Sequence, residues 1–348
     1  MTSIRHLLAA SAVLAGLSAC GGGGGSSPAP TVSAVAITSG NQTTVARAAV
    51  DGGLALTQSE GQDTTDRTTA QSLRAASPST HAGAIDAALQ RGVDAIFAER
   101  RTAASASSST TPRLLVASSD TANCAAGGTV TTTFDDRDNN LTFSGGDTIS
   151  IAFAQCKDSA ADQIDGTMVF TISSVASATL SDIDFSGSVA FQGLSVVLGQ
   201  TSAGINGSVS VTFVKTSKLL QVALTVGAGG LGVSASAPGY SDSIVYESGM
   251  QIATSVTLAL PSTSTVSLNG SFTTSSLNGR VSVSTVQPVS ELSTDLYPYA
   301  GQIIVTGAAG CRLRITVIDA TQVQLELDAN GDGIYEASTT VPWGALLG

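Results

Sequence analysis

The chain predicts an all-β fold, mainly antiparallel, over residues 113–348, and three observations carry that expectation. The first is period-two alternation. Leu313, Ile315 and Val317 alternate with Arg312, Arg314 and Thr316, while Val323, Leu325 and Leu327 alternate with Gln322, Gln324 and Glu326. Val209, Val211 and Phe213 follow the same rule, as do Val256, Leu258 and Leu260. Successive strand side chains point to opposite faces, so such runs bury one face and wet the other. The second is turn chemistry. Asn206-Gly207, Asn269-Gly270 and Asn278-Gly279 are hairpin dipeptides, although extended neighbours on both sides make some of them candidates for strand bulges. The third is the surface. Charged residues are only 12% of the chain, about half the usual share, and Ser and Thr take their place on the polar faces. No helical pattern of any length interrupts residues 113–348, and no fixed-period repeat suggests a solenoid. The expected architecture is a large sandwich, or a curved sheet closing toward a partly closed barrel, preceded by a disordered tether and one α-helix.

Residues 1–19 carry Arg5 and then an apolar run, Leu7 to Leu17. About eleven apolar residues cannot span a bilayer, which needs roughly 20, and they fit a secretory signal. Leu17-Ser18-Ala19-Cys20 resembles the lipobox of bacterial lipoproteins. The resemblance implies cleavage before Cys20, acylation of its thiol and its new amine, and anchoring in a membrane through Cys20. Gly21 stands where Asp would signal inner-membrane retention in enteric bacteria, so the implied address is the outer membrane of the cell envelope. Residues 20–76, opening with GGGGGSSPAP, read as a lipidated flexible tether reaching roughly 40 Å. Residues 77–102 read as a helix. Ser77-Pro78 starts it, and Ile85, Leu89, Val93 and Ile96/Phe97 form one face. Arg100 and Arg101 suit its C-terminal end. Residues 103–112 form a linker.

Composition excludes several function classes. The net charge is −11, which disfavours nucleic acid as a partner, since that affinity rests on Lys and Arg. Aromatics are 4%, too few for a stacking platform. His6 and His81 are the two histidines, so a Ser–His pair or multi-His metal site has little to draw on. There is no GxSxG elbow and no phosphate loop, and a non-enzymatic protein is expected.

Two acidic segments point to calcium. Asp136, Asp138, Asn140, Thr142, Ser144 and Asp147 occupy loop positions 1, 3, 5, 7, 9 and 12, the spacing of an EF-hand ligand set. Thr142 would use its carbonyl and Ser144 would act through water. Leu141 departs from the pattern where Gly is usual, and Asp147 is shorter than the usual bidentate Glu. In the second segment Asp328, Asn330, Asp332, Ile334 (through its carbonyl) and Glu336 take positions 1, 3, 5, 7 and 9, with Gly333 at position 6. Position 12 is Thr339, so a closing carboxylate is missing or comes from elsewhere. The segment resembles DxDxDG-type calcium loops outside helix pairs. Asp, Asn and Gly are also the commonest turn residues, so plain polar hairpin turns are the alternative.

Cys124 and Cys156 bracket the first loop and are the expected disulfide, lying across a hairpin in an oxidising compartment. Cys311 is left over, either a buried free thiol or a substitute for one partner. Sole Trp343 is expected to pack the C-terminus into the core. The Cys124–Cys156 segment and the C-terminal stretch from Gly301 to Trp343 are similar to uncharacterised β-rich lipoproteins of Gram-negative bacteria, a resemblance that implies an address but no activity. The expected function is therefore a membrane-anchored structural, adhesive or partner-binding module. The alternative is a carrier of lipid or another apolar ligand, distinguished by whether the apolar sheet face is filled or leaves a cavity.

Overall fold

The computed structural model describes residues 32–54, 118–140, 144–178 and 182–347. The expected signal, Cys20, the helix at 77–102, the linker at 103–112 and Thr142 lie outside them. Fifteen strands form a single antiparallel sheet. They are β1 (Ser118–Asn123), β2 (Thr129–Asp135), β3 (Thr148–Ser159), β4 (Asp162–Ala178), β5 (Ile183–Leu198), β6 (Thr201–Lys215), β7 (Leu219–Ala237), β8 (Tyr240–Tyr246), β9 (Gln251–Thr257), β10 (Thr263–Thr274), β11 (Gly279–Leu292), β12 (Ala300–Thr306), β13 (Arg312–Val317), β14 (Gln322–Asp328) and β15 (Ala337–Pro342). Among the described residues, two α-helices accompany them, α1 (Gln42–Leu54) and α2 (Gly344–Leu347). The chain meanders from strand to neighbouring strand with one exception. β8 and β9 lie end to end between β7 and β10, as two halves of one broken strand. The sheet curls into a partly closed ring whose edges are β1 and β15.

Glycines set the bend. Gly166, Gly193, Gly207, Gly230 and Gly270 sit on β4, β5, β6, β7 and β10, and all have positive φ. The β4–β5, β5–β6, β6–β7 and β10–β11 pairings shift register beside them. A Cβ on Gly166 would meet the Gly193 carbonyl oxygen at 2.5 Å, and one on Gly207 would press on the Gly230 carbonyl closer still. Backbone meets backbone along this line, so only glycine fits. Asn206-Gly207 and Asn269-Gly270 are thus strand bulges, whereas Asn278-Gly279 ends the β10–β11 hairpin turn.

Inward side chains form one continuous apolar core from Phe134 on β2 to Leu346 on α2. The alternation on β13 and β14 holds throughout: Leu313, Ile315, Val317, Val323, Leu325 and Leu327 are all buried. It fails at the end of β9. Leu258 and Leu260 continue the pattern past the last paired residue into the β9–β10 turn, and Leu260 is 89% exposed.

Part of the expected tether belongs to the folded body. Ala34 forms a parallel bridge with Arg280 at the start of β11, the Val35 amide donating to the Arg280 carbonyl (2.9 Å) and the Arg280 amide to the Ser33 carbonyl (3.0 Å). Asn41 ties the next turn back through Thr38 and Ala36, and α1 follows. Val45, Ala46, Ala49 and Val50 are buried against the sheet and α2. Gly52 rests on the Phe272 ring and Gly53 leaves no room for a side chain beside Leu268. A helix face built from Ala and Gly gives almost no hydrophobic period, which is why the sequence reads as tether. Beneath α1, the face lined by Val266, Leu268, Ile303, Ile315 and Trp343 keeps a cavity of only ≈ 20 Å³, room for about one water. Trp343 is buried as expected. Its indole N–H donates to Pro298 and Asp319 carbonyls (3.2 and 3.3 Å), and its ring stacks on Tyr297.

Gly207→Ala should lower unfolding stability by at least about 2 kcal/mol, because a strained φ and a backbone clash add. Gly249→Ala has positive φ but open space around it, and should cost about 1 kcal/mol. Urea denaturation of both variants checks the contrast.

Candidate metal centres

Antiparallel pairing sends alternate turns to opposite rims of the sheet. One rim carries residues 136–140 and 144–147, 216–218, 258–262, 293–299 and 318–321. The other carries 124–128, 199–200, 275–278, 307–311 and 329–336. The two acidic loops therefore lie on opposite rims, each joining adjacent strands.

In the first loop, β2 delivers Asp136 and β3 receives the chain after Asp147. Both carboxylates are buried, while Asp138 is exposed. Backbone amides aim them inward. Asp147 accepts from the Arg137 amide (3.1 Å) and the Ser144 amide (2.7 Å), and the Asn140 amide donates to both Asp136 and Asp138 (3.2 Å each). The Ser144 hydroxyl donates to Asp138 (3.0 Å) and Asp147 (3.3 Å). The backbone of β4 buttresses the far arm: Gly146 donates to Ile172, and Ile172 to Asp147. Desolvation works against ionisation of Asp138, but the hydrogen bonds it accepts from Asn140 and Ser144 outweigh it and hold its carboxyl below the ordinary value. One oxygen from each of Asp136, Asp138 and Asp147 lies within 4.8 Å of the others.

The second loop is tighter. Asp328 is buried and accepts from the Gly331 amide (2.7 Å) and the Gly333 amide (2.9 Å). Asp332 accepts from the Ile334 amide (2.8 Å) and the Asn330 side chain (3.1 Å), and the Asn330 oxygen accepts from the Asp332 amide (2.8 Å). Gly331 and Gly333 both take positive φ, and the Gly331 Cα faces the Ala309–Gly310 backbone too closely for a side chain. Ile334 is 67% exposed, so only its carbonyl can serve the loop. Asp328, Asp332 and Glu336 converge within 4.8 Å. Glu336 folds back so that its carboxylate accepts from the Ala329 amide (3.0 Å), supplying the closing acid that position 12 lacks. Thr339 pairs with Leu325 on the ladder, beyond the loop. Sequence spacing could not show this, because the hairpin is closed after nine residues, not twelve. The base of the loop is clamped by residues the sequence reading did not single out. Arg314 makes a two-pronged ion pair with Glu326 (2.6 and 2.7 Å), its strand partner, and lies 4.0 Å over the Tyr335 ring.

Both clusters present hard oxygen donors with no nitrogen or sulfur, a set suited to calcium or magnesium rather than zinc. Either could hold a metal ion.

Cys124 and Cys156 are bonded, with Cα atoms 5.4 Å apart. Cys124 sits in the β1–β2 turn and Cys156 near the end of β3, so the bond lies at the far end of the β2–β3 hairpin from the first acidic loop. Cys311 is a buried free thiol, placed where the Ile37 amide donates to its sulfur (3.3 Å). No protein-family model, curated protein or solved structure matches the chain.

Replacing Cys124 and Cys156 together by Ala should lower stability by about 3–4 kcal/mol, the chain-entropy value for a 32-residue separation. Denaturant unfolding of the oxidised parent against the double variant measures it.

Proposed function

We propose that this protein is a lipid-anchored, non-enzymatic module of the cell envelope, with calcium bound at its acidic loops and a structural, adhesive or partner-binding role. The observation that carries the reading is the convergence of three carboxylates in each of two strand-connecting loops, on opposite rims of one sheet. Like charges held this close repel one another, and a divalent cation relieves the repulsion. Calcium suits the geometry because it accepts six to eight oxygens at irregular angles, including backbone carbonyls and water. The ligands are Asp136, Asp138, Asn140, Ser144 and Asp147 in one loop, and Asp328, Asn330, Asp332, the Ile334 carbonyl and Glu336 in the other. Each ion would fasten two neighbouring strands at a rim and so stiffen the sheet.

The filled face beneath α1 supports a packed module over a carrier, since an acyl chain needs far more than the ≈ 20 Å³ left there. The anchoring part of the proposal rests on the lipobox-like Leu17–Cys20. With the folded body starting at Val32, the intervening stretch spans at most about 40 Å, so the body would stay close to the membrane.

Two measurements test the two parts separately. At 10 mM calcium, sites of 10⁻⁴–10⁻³ M affinity would each add about 1.4–2.7 kcal/mol. The melting temperature should therefore rise by several degrees over that in EDTA. Asp147→Asn and Asp328→Asn should each remove part of the rise, and a melt indifferent to calcium would refute the metal reading. Labelled palmitate fed to cells making the full chain should enter the protein, and Cys20→Ala should abolish both the label and the membrane fraction.

A further inference from the structure

The large apolar side chains left on the surface are unevenly placed. Among the described residues nine are exposed, and five of them, Leu258, Leu260, Leu296, Tyr299 and Ile318, lie on three turns of one rim, those after β9, β11 and β13. Hydrogen bonds join these turns in a row. The Leu258 amide donates to the Lys218 carbonyl of the β6–β7 turn (2.9 Å), and the Ser293 amide donates to the Ser262 carbonyl (2.9 Å). The Trp343 indole then ties Pro298 to Asp319. The β9–β10 turn is the most apolar of the three. Leu258, Ala259, Leu260 and Pro261 follow one another, and all four are exposed. The Thr257 hydroxyl closes the base of this finger by accepting from the Thr263 amide (2.8 Å). Hairpin tips are ordinarily polar, and an exposed apolar run of this length marks a surface that meets something apolar.

We propose that this rim is a bilayer-contact surface: the β9–β10 finger enters the interface of a zwitterionic lipid layer with Leu260 leading, and Leu296, Tyr299 and Ile318 settle beside it. Shape favours lipid over a second copy of the chain. Leu260 is 89% exposed, so it projects and would need a socket on a rigid partner. The apolar cavity behind this rim holds only ≈ 20 Å³, far less than a leucine side chain needs, so a second copy offers no socket there. Five such side chains make a patch of a few hundred Å², short of the roughly 800 Å² that each partner buries in a stable protein interface. A bilayer needs no socket. The polar neighbours fit as well. Lys218 is exposed on the adjoining turn, and the polar tip of Tyr299 suits the headgroup level. The carboxylates on these turns are engaged within them: Asp319 accepts from Thr321 (amide 2.7 Å, hydroxyl 2.6 Å) and the Gln322 amide (3.0 Å), and Asp295 from the Thr294 hydroxyl (3.3 Å). The contact is separate from Cys20, because the N-terminal arm joins the start of β11, at the opposite rim.

Trp343, the sole tryptophan, lies behind this rim and away from the arm, so its fluorescence reads the contact. The full chain carrying Cys20→Ala is titrated with phosphatidylcholine vesicles, plain or brominated along the acyl chains, in EDTA so that metal at the acidic loops plays no part. Brominated vesicles should quench Trp343 and plain ones should not. Leu260→Ser should weaken the titration by about tenfold and leave the melting temperature unchanged, and Leu258→Ser with Leu260→Ser should weaken it by about a hundredfold. Absence of quenching, or an equal titration in the double variant, would overturn the proposal. So would a chain that ignores lipid and sediments as a dimer, with the double variant a monomer, since that result assigns the patch to a second copy.

Discussion

A sheet with one apolar face and no second layer has to close on itself. β7 alone has 19 residues, about 60 Å if straight, and a flat sheet of such strands would leave its aliphatic face in water. Curvature is therefore the constraint on which the rest of the structure depends. It is supplied by backbone, not side chains. At Gly166 and Gly207 one strand turns its Cα against the next strand's carbonyl, and the ladder shifts register before resuming. Met250, fully buried, sits over Gly270 at the break between β8 and β9, so the bend crosses even the interrupted strand. With the sheet curled, strands on either side of the bend contribute to a single core, and α1 and α2 fill what remains over β10 to β14.

Charge in this molecule is scarce and local. The polar faces are Ser and Thr ladders, such as Ser119 with Thr133, Thr121 with Thr131 and Ser271 with Ser282. The carboxylates that do occur gather where turns must be fixed. Asp328 holds a nine-residue hairpin through two amides, and Asp242 holds the β10–β11 turn through the Ser275 hydroxyl and the Ser276 amide. An acid that stabilises a turn through amides and an acid that binds a cation use the same oxygens. The two roles are compatible, because amides that fix a turn also hold the carboxylate in place for any ion that it could bind.

Much of this was legible in the sequence because strand patterning is a local signal. Leu313 to Leu327 alternates without a fault, and the structure buries every expected residue there. The Cys124–Cys156 pairing and the core position of Trp343 were legible too. What was lost depended on tertiary contact. Leu258 and Leu260 keep the strand period after the strand has ended, because periodicity does not report where pairing stops. Residues 32–54 look like tether because small residues let a helix approach closely yet carry little hydropathy. In the acidic loops the spacing that gathers the carboxylates was readable. The return of Glu336 was not, since it depends on where β14 and β15 stop pairing.

The N-terminal arm has a mechanical meaning. Residues 33–35 lie parallel to β11 and are gripped from two sides, by Arg280 and by the Ala308 amide, which donates to Val35 at 2.7 Å. A pull along the arm from its N-terminal side would strain these hydrogen bonds together, in shear, instead of opening them one at a time. Force would pass into the β11 backbone and the β12–β13 turn, and from Arg280 into Glu247 through a two-pronged ion pair (2.6 and 2.8 Å), before reaching α1. The arm thus acts as a strain relief: tension arriving along the chain would be spread over the rim of the ring before it could peel the helix from the core.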